Sequence, residues 1–223
     1  MPNLAIVGYG KMGRLLDQLA PEYGFTVTAR LDIDRDEPLP GADVAVEFSV
    51  PSAVLGNIRK VAAAGIPIVV GTTAWQAHMA EAKALIQTNN GALVWSPNFS
   101  VGVNVFTRLV SEAARLLANE KEYGAWAWEI HHITKKDAPS GTLIQLVDRM
   151  KAAGYARGID VGSSRAGAHP GTHEIGFDSA ADTITLRHTA RSREGFARGA
   201  LKAAQWIIGR KGFYEFSDVL FGA

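Results

Sequence analysis

LAIVGYGKMG, residues 4–13, places a glycine-rich turn directly after a short apolar run. The apolar run Leu4–Val7 has the length and composition of a buried strand. Apolar side chains then recur at the i, i+3, i+4 and i+7 positions of a helix, at Met12, Leu15, Leu16 and Leu19. The stretch therefore predicts a strand, a tight turn and an amphipathic helix, which is how a βαβ unit begins.

The turn has the spacing G-x-G-x-x-G, and each of its glycines has a separate physical reason. Gly8 allows the tight turn, Gly10 lets a pyrophosphate approach the backbone, and Gly13 lets the helix pack closely on the strand. The N-terminus of the helix offers unpaired N–H groups and a positive dipole end to the phosphates. Asp32 follows about 20 residues later, where a carboxylate accepts hydrogen bonds from an adenosine ribose. Together these features predict a dinucleotide site.

Asp32 also bears on the choice of cofactor. A 2′-phosphate would meet this carboxylate, so the sequence predicts NADH as the preferred cofactor. Arg30 and Arg35 flank the acid and can pair with a phosphate, so NADPH is expected as a second, less favoured cofactor.

The first hundred residues continue the alternation of strands and helices that is typical of a parallel sheet. Further strands are predicted at Phe25–Leu31, Ala42–Phe48, Ile66–Val70 and Ala92–Trp95, and helices are predicted to begin at Pro51 and to span Trp75–Ile86. The loops Gly71–Thr73 and Ser96–Ser100 follow two of these strands, at the sheet edge where ligands bind. Taken alone, each loop is equally well explained as an ordinary helix-capping connection.

The regular alternation ends after Pro97. The predicted elements are then a long helix at Val103–Asn119, strands at Trp126–Ile133, Thr172–Phe177 and Thr183–Thr189, and helices at Thr142–Ala153 and Gly195–Ile208. The fold class is therefore α/β, with a Rossmann dinucleotide-binding domain over residues 1–102 and a smaller α+β domain over residues 103–195. Whether residues 196–223 fold back onto the first domain stays open at this level.

Composition excludes several classes of function. The 223 residues contain 23 Lys and Arg against 22 Asp and Glu, a net charge of +1, which lacks the basic excess of a nucleic-acid-binding protein. The chain has no cysteine, which rules out disulfides and thiolate chemistry and fits a reducing compartment. It has no apolar run of about 18 residues and no basic N-terminal signal region. We therefore expect a cytoplasmic protein with neither nucleic acid nor membrane as a partner.

EIHHITKKDAPSGT, residues 129–142, carries most of the chemical information in the second half. His131 and His132 are neighbours on a strand, so their side chains point to opposite faces and do not form a two-histidine metal site. With no cysteine and no acidic cluster expected nearby, no metal is predicted. Lys135 follows, and Ser140, Gly141 and Thr142 precede a helix whose N-terminus can bind an anion. These groups predict a pocket for a small dicarboxylate beside a proton donor.

The remaining histidines and the paired tryptophans are less informative. His169 and His173 lie in a glycine-rich stretch that is expected to be flexible and to border the pocket, and His188 fits a hydrogen-bonded core position. Trp126 and Trp128 share one face of a strand, where they serve either internal packing or a subunit contact.

Over nearly its whole length the sequence resembles the 4-hydroxy-tetrahydrodipicolinate reductase (dihydrodipicolinate reductase) family of diaminopimelate and lysine biosynthesis. The hallmark E-x-H-H-x-x-K-x-D-A-P-S-G-T of that family is complete at Glu129–Thr142. Further matches are the Gly-x-x-x-Met-Gly turn, the Gly71–Thr73 loop, Asn98–Asn104, and His188-x-Ala190-x-Ser192-Arg193-x-x-Phe196. Two features depart from many members: the glycine turn is tighter than G-x-x-G-x-M-G, and Ile33 stands where some relatives have an arginine suited to NADP.

The resemblance implies roles for individual residues. His131 matches the proton donor and acceptor of the family, and Lys135 matches its catalytic lysine, which also contacts the substrate. His132, Gly141 and Thr142 match substrate-binding positions. The family's nucleotide-binding positions fall on Gly8, Tyr9, Gly10, Lys11, Met12, Gly13, Asp32, Gly71, Thr72, Thr73, Pro97, Asn98, Phe99 and Ser100. The resemblance also implies a substrate domain whose sheet builds a homotetramer, and a C-terminal segment, residues 196–223, that returns to the Rossmann domain.

The implied reaction transfers a hydride from NAD(P)H to a cyclic imine dicarboxylate, and His131 or Lys135 supplies the proton. Two other functions remain as alternatives. An aspartate or diaminopimelate dehydrogenase would share the two-domain layout, and a non-catalytic NAD sensor would keep the fold without the chemistry. The complete stretch from Glu129 to Thr142 argues against both, because neither needs this combination of proton donor and anion site.

Overall fold

The computed structural model describes residues 1–34, 39 and 41–222. It divides into two compact units. Unit 1 comprises Met1–Val101 and Glu194–Ala223, and unit 2 comprises Gly102–Arg193. Arg35, one of the two arginines expected beside Asp32, lies outside the described residues.

The described elements alternate regularly in the first half of the chain and irregularly in the second. In chain order they are β1 (Asn3–Val7), α1 (Lys11–Leu19), β2 (Thr26–Leu31), β3 (Val44–Glu47), α2 (Val54–Ala63), β4 (Ile68–Val70), α3 (Met79–Thr88), β5 (Ala92–Trp95), α4 (Val101–Leu116), β6 (Gly124–His131), α5 (Gly141–Ala152), β7 (Ile159–Arg165), β8 (Thr172–Asp178), β9 (Thr183–Thr189), α6 (Glu194–Ile207), β10 (Gly212–Glu215) and α7 (Phe216–Phe221). Short 3₁₀ turns occupy Ala20–Tyr23 and Gln76–His78.

Unit 1 is a six-stranded parallel sheet in the order β10-β5-β4-β3-β1-β2. All residues of β3 and β4 are buried, as expected for strands covered on both faces. Separate apolar clusters cover the two faces, one around α1 and α6 and the other around α2 and α3. The loops that follow β1, β3, β4 and β5 all leave the sheet at its carboxyl edge, which is where such sheets bind ligands.

The C-terminal segment completes this sheet through a close contact. Helix α6 packs over β3, β4 and β5, and β10 pairs with β5 at the edge of the sheet. Gly199 makes the approach of α6 sterically feasible, because a Cβ atom there would lie 1.7 Å from the carbonyl oxygen of Phe99.

Unit 2 is a four-stranded sheet in the order β7-β6-β8-β9, in which β6 and β7 are parallel and the other pairs antiparallel. Helices α4 and α5 cover one face and bury an apolar cluster against it. Alternation along β6 turns Ala127, Glu129 and His131 toward the helices and Trp126 and Trp128 toward the other face, where the tryptophans remain half-buried. This mixed sheet confirms the α+β character predicted for the second part of the chain.

Several local predictions differ from the structure. The helix expected from Pro51 begins at Val54, because residues 51–53 form turns. The helix expected over Trp75–Ile86 is a 3₁₀ turn followed by α3. Strands β7 and β10 and helix α7 were not predicted, because the strands are short or polar and have no clean alternation. In the part of the chain that the structure describes, no helix is both long and apolar enough to cross a bilayer.

Candidate active site

The glycine turn after β1 adopts the conformation that its sequence predicts. Gly8 has φ +90°, and a Cβ there would lie 2.2 Å from the carbonyl oxygen of Phe48. A Cβ on Gly13 would lie 2.2 Å from the carbonyl oxygen of Gly8. A Cβ on Gly10, by contrast, would meet nothing within 4 Å. Gly8 and Gly13 thus close the turn, and Gly10 leaves open space at the start of α1, where a phosphate group can reach the backbone N–H groups.

Two adjoining cavities lie along the carboxyl edge of the unit 1 sheet. The first, of about 430 Å³, is lined in part by Gly8, Gly10, Leu31, Asp32 and Val50. The second, of about 450 Å³, is lined in part by Gly10, Lys11, Met12, Gly71, Thr72 and Thr73. Both cavities share Gly10, Phe48 and Ser49. Two pockets joined at a glycine-rich helix N-terminus fit the two halves of a dinucleotide, with the pyrophosphate between them.

The charged residues near the first cavity differ in their hydrogen-bond partners. Asp32 lines the cavity, and its carboxylate accepts a hydrogen bond of 2.9 Å from the backbone N–H of Ile33. Arg30 is bound by Asp17 through two hydrogen bonds of 2.7 and 2.8 Å. Tyr9 also donates its hydroxyl to Asp17 and lies outside the lining of both cavities. Lys60 of α2 lines the cavity with Asp32, a placement that sequence periodicity did not reveal.

A buried acid, Glu47 at the end of β3, connects the loops that flank the second cavity. Its carboxylate accepts hydrogen bonds from the backbone N–H and the hydroxyl of Ser49, and burial raises its pKa. Its backbone carbonyl accepts a 2.8 Å hydrogen bond from the N–H of Gly71. The N–H of Ser49 also donates to the hydroxyl of Thr72, at 2.8 Å. Hydrogen bonds to Glu47 therefore join the loops after β3 and β4. Glu47 is not among the site residues that the sequence predicts.

The loop after β5 stabilises itself. The hydroxyl of Ser96 donates to the carbonyl of Asn98, and the side chain of Asn98 accepts from the N–H of Ser100 at 2.9 Å. Phe99 is buried, with its ring 4.9 Å from that of Phe216. Pro97, Asn98, Phe99 and Ser100 are not among the described lining of the two cavities, but the ring of Phe99 lies 6.3 Å from that of Phe48, which lines both. The cofactor contacts of this loop stay a prediction.

In unit 2 the predicted substrate residues surround the end of β6 and the start of α5. Lys135 forms a close ion pair with Asp137, at 2.8 and 2.9 Å. His132 directly follows the end of β6, and Nδ1 of its ring lies 2.7 Å from the hydroxyl of Thr134. Gly141 is exposed, and a Cβ there would meet nothing within 4 Å, so an anion has room to approach the helix N-terminus.

Ser140 is the N-cap of α5. Its hydroxyl accepts a hydrogen bond of 3.2 Å from the N–H of Leu143, which satisfies one of the free N–H groups at the helix start. Thr142 lies in the first turn of the same helix and is partly exposed. The predicted binding residues Gly141 and Thr142 therefore lie in the first turn of a helix that Ser140 caps.

A second buried acid, Glu129, lies beside His131 and accepts hydrogen bonds from residues at the start of α5 and on β7. One carboxylate oxygen, Oε1, accepts hydrogen bonds from the backbone N–H of Ser140 at 2.8 Å, from Arg165 at 2.8 Å and from Ser163 at 3.1 Å. The other, Oε2, accepts from the hydroxyl of Ser140. Oε2 also lies 3.5 Å from Nδ1 of His131 and 3.3 Å from Nε2 of His173.

His173 differs from its prediction. It lies in β8, within the strand predicted over Thr172–Phe177, and the flexibility expected for the glycine-rich stretch does not extend to it. It is buried, and its ring centre is 5.1 Å from that of His131. The pairing of β6 with β8 places His173 directly opposite Glu129. This cross-strand pairing was not evident from sequence, because neither the register nor the pairing of the two strands can be read from local patterns. His188 sits opposite His173 on β9, and its buried Nδ1 has no described hydrogen-bond partner, so it is not the fully bonded core residue that was expected.

The environment sets the charges of these groups. Burial lowers the pKa of His131, while the negative charge of Glu129 opposes that effect. Burial and the neighbouring His131 lower the pKa of His173 to about 4, so His173 is neutral at physiological pH. Burial pushes the pKa of Glu129 upward, but hydrogen bonds from Ser140 and Arg165 outweigh it and leave the pKa below its ordinary value. The cluster therefore holds an ionised carboxylate between one neutral and one titratable imidazole.

Glu129, His131 and His173 also have ligand atoms within 4.8 Å of one another, the spacing of a metal-ligand set. The sequence predicts no cysteine ligand and no acidic cluster beside the histidines, and the structure places one carboxylate there, that of Glu129. The donor set nevertheless fits a metal ion poorly, because the carboxylate already accepts four hydrogen bonds, one of them from the positive guanidinium of Arg165. We assign no metal to this cluster, and the absence of a metal stays a prediction.

Fold and site together define a class of protein. A parallel sheet with a glycine turn and paired cavities at its carboxyl edge, joined in one chain to a histidine, a lysine and an open helix N-terminus, describes a dinucleotide-dependent oxidoreductase that acts on an anionic substrate.

Comparison with known proteins identifies the family. The family model for the N-terminus of dihydrodipicolinate reductase matches residues 2–99, and the model for its C-terminus matches residues 102–220. The chain belongs to the dihydrodipicolinate reductase family and is an NAD(P)H-dependent oxidoreductase.

Individual relatives cover nearly the whole chain. The 4-hydroxy-tetrahydrodipicolinate reductase of Christiangramia forsetii is 35% identical over 232 residues, which cover 98% of this chain and 97% of the relative. That of Methanosarcina mazei is 37% identical over 238 residues, covering 99% and 89%. Among solved structures, the dipicolinate-bound dihydrodipicolinate reductase of Paenisporosarcina sp. TG-14 matches with a TM-score of 0.83 at 20% identity, over 99% of this chain and 100% of that one. At that identity the structural match supports the fold alone.

Proposed function

We propose that the protein catalyses the reaction for which its family is named, with His131 as the proton donor. It reduces 4-hydroxy-tetrahydrodipicolinate to tetrahydrodipicolinate with NAD(P)H, in the biosynthesis of diaminopimelate and lysine. Water leaves the hydroxylated ring, NAD(P)H supplies a hydride to an unsaturated ring carbon, and one proton completes the reduced product. The protein's own task is to bind both molecules, to orient them and to deliver that proton.

Residues of unit 1 hold the cofactor. The open space beside Gly10 and the free N–H groups at the start of α1 fit a pyrophosphate. Asp32 faces the cavity that suits the adenosine, and Lys11, Met12 and Gly71–Thr73 line the other. We assign the nucleotide-binding role to residues 1–102 and 196–223 on this basis.

NADH is the preferred cofactor in this proposal. Asp32 lines the adenosine cavity, whereas Arg30, the flanking cation that the structure describes, is already bound to Asp17. Lys60 in the same cavity leaves NADPH usable. Catalytic efficiency measured separately with NADH and NADPH tests this preference, and Asp32→Ala should shift the ratio toward NADPH. Equal efficiency with the two cofactors in the wild-type protein would contradict it.

Residues 103–195 supply the substrate site. The substrate carries two carboxylates, and this domain offers the positive charge of Lys135 and the N–H groups at Gly141 and Thr142. Asp137 holds the ammonium group of Lys135 in place by an ion pair. A substrate carboxylate then replaces Asp137 as the partner of that ammonium group. His132 lies beside Lys135, in the same loop.

The observation that carries the assignment of the proton donor is the surroundings of His131. Its ring is mostly buried, and burial lowers its pKa although its Nδ1 lies 3.5 Å from the ionised carboxylate of Glu129, which favours the protonated ring. A histidine in such a setting can give up a proton near neutral pH and regain it.

Substrate-dependent oxidation of NADH, with fresh product of dihydrodipicolinate synthase as the substrate, tests the reaction and the roles. We expect His131→Gln to lower kcat about 10²-fold or more with little change in the Kd of NADH. Lys135→Ala should lower kcat and raise the KM of the substrate, whereas Lys136→Ala, an exposed neighbour, is the matched control. Wild-type turnover by His131→Gln would remove this residue from the mechanism, and binding of NADH without any turnover in the wild-type protein would favour the sensor function.

We further propose that the protein works in the cytoplasm as a homotetramer built on the unit 2 sheet. The support is the half-exposed pair Trp126 and Trp128 on the sheet face that α4 and α5 leave uncovered, together with the absence of cysteine. Sedimentation of the wild-type protein and of Trp126→Glu tests the assembly. A monomeric wild-type protein would contradict it.

A further inference from the structure

His131 has more buried polar neighbours than a proton donor by itself requires. Glu129 and His131 are two residues apart on β6 and face the same side of the sheet, and His173 on β8 lies directly opposite Glu129. The Glu129 carboxylate is wholly buried and accepts four hydrogen bonds. A buried charge is costly unless it is fully paired, so a carboxylate with this many donors occupies a defined position.

We propose that Glu129 and His173 are positioning residues, which hold His131 and the N-terminus of α5 at a fixed separation through one shared carboxylate. This inference rests on the proposed function, in which His131 donates the proton and the start of α5 binds the substrate.

The Glu129 carboxylate acts first on the imidazole of His131. Nδ1 is buried and has no hydrogen-bond partner among the described residues, and Oε2 of Glu129 lies 3.5 Å away. A small movement of the ring would bring Nδ1 within hydrogen-bonding distance, as often happens when a catalytic site closes on its substrate. The carboxylate then selects the tautomer with a proton on Nδ1, stabilises the imidazolium and leaves Nε2 to serve the substrate.

Two neighbours restrict the ring from other sides. The rings of His173 and His131 pack edge to face, with a ring-centre distance of 5.1 Å and an angle of 71° between planes. His173 is neutral, so it adds no second positive charge beside the imidazolium. At Gly171 a Cβ atom would lie 2.9 Å from Nε2 of His131, so the absence of a side chain there gives the ring its space.

The same carboxylate also acts on the substrate-binding end of α5. Ser140 binds the carboxylate through both its backbone N–H and its hydroxyl, and it is the residue that caps the helix. Arg165 binds Oε1 of Glu129 and also donates to the carbonyl of Asp137, and it thereby ties down the loop that carries Lys135. One buried charge therefore sets the positions of the proton donor, the helix end and the lysine loop.

The test compares Glu129→Gln and His173→Gln with the control Glu112→Gln, which removes an exposed carboxylate from α4 in the same unit. We expect Glu129→Gln to lower kcat about 10²-fold, because a misplacement of about 1 Å has effects of that size. His173→Gln should lower kcat about ten-fold, and Glu112→Gln should not change it. The Kd of NADH, which is bound by the other unit, should stay within about two-fold in all three. If Glu129→Gln does not fold, as judged by circular dichroism, His173→Gln carries the test.

The pH profile separates a positioning role from a structural one. The charged and titratable groups around His131 are Glu129, Lys135, Asp137, Arg165 and His173. Loss of the Glu129 charge should move the alkaline limb of kcat about one pH unit lower, because an adjacent carboxylate favours the protonated ring. The shift should be visible also in the NMR titration of the His131 imidazole, without any substrate.

A double variant shows whether Glu129 acts through His131. Once His131→Gln is in place, adding Glu129→Gln should change the KM of the substrate through α5 and should lower kcat far less than the about 10²-fold loss expected for Glu129→Gln alone. If Glu129→Gln and His173→Gln keep the kcat and pH profile of Glu112→Gln while His131→Gln is inactive, the positioning role is refuted and the proposed function stands. If His131→Gln itself is fully active, the proposed function fails, and the inference fails with it.

Discussion

Acidification should destabilise the protein through His173, and the size of the effect follows from its burial. The ring is buried at the end of the β6–β8 pair, and its pKa is lowered to about 4, against about 6.5 in an unfolded chain. Between these two values the unfolded chain binds a proton that the folded protein does not bind. The free energy of unfolding therefore falls as the pH falls through this window.

The magnitude can be worked out by linkage. Between pH 7.5 and pH 5.0 the contribution of His173 to the free energy of unfolding should fall by about 2 kcal/mol. The loss should reach about 3 kcal/mol once the pH is below both pKa values. His173→Gln cannot take up this proton, so the variant should lack that part of the pH dependence.

Urea unfolding at pH 7.5 and pH 5.0, followed by tryptophan fluorescence and circular dichroism, measures the effect. Other groups titrate in the same window, so the useful quantity is the difference between the wild-type protein and His173→Gln. His78→Gln is the matched control, because His78 is exposed on a 3₁₀ turn, and this variant should follow the wild type. If the wild-type protein and His173→Gln lose equal stability on acidification, His173 is not held neutral by burial and the reasoning is refuted.

Three further predictions concern single positions. Glu47→Gln should raise the free energy of unfolding more at pH 8 than at pH 5, because burial opposes ionisation of this acid only in the folded protein; urea unfolding at both pH values checks it. Gly199→Ala should lower the free energy of unfolding by about 3 kcal/mol and Tm by about 10 °C, because its Cβ would lie 1.7 Å from a carbonyl oxygen; calorimetry that finds an unchanged Tm would disagree. Gly171→Ala, at φ +136°, should displace His131 and lower kcat about ten-fold without changing the Kd of NADH, which steady-state kinetics and fluorescence titration can show.

The cofactor half of the molecule was accessible from sequence because its signals are local. A run of apolar residues, three glycines at fixed spacing and a helical repeat all lie within residues 4–19, and the structure contains the corresponding strand, turn and helix. Spacing alone also led to Asp32, which lines the first cavity. Glu47 was not found, because a single acid at the end of an apolar strand has no distinguishing pattern before the neighbouring loops are placed around it.

The second unit shows where local patterns stop being sufficient. Residues 129–142 pointed to His131, Lys135 and the helix end, since all of them occur in one continuous stretch. The strand that contains His173 is predicted from alternation, but its partner strand and register are not, and β7 is not predicted because its sequence is polar. Both strands pair with β6, and neither the pairing nor the register of a strand is set by its own composition.

Sequence patterns determined the fold class, the glycine turn and the residues proposed to carry the chemistry, because strand and helix periodicity and backbone freedom are properties of short segments. Tertiary structure alone determined which polar groups contact the same charged carboxylate. Ser140 and His173 are 33 residues apart, and yet they meet at the same carboxylate of Glu129. Their meeting depends on the register of β6 with β8 and on the packing of α5, and these are set by the burial of apolar surface across the whole unit.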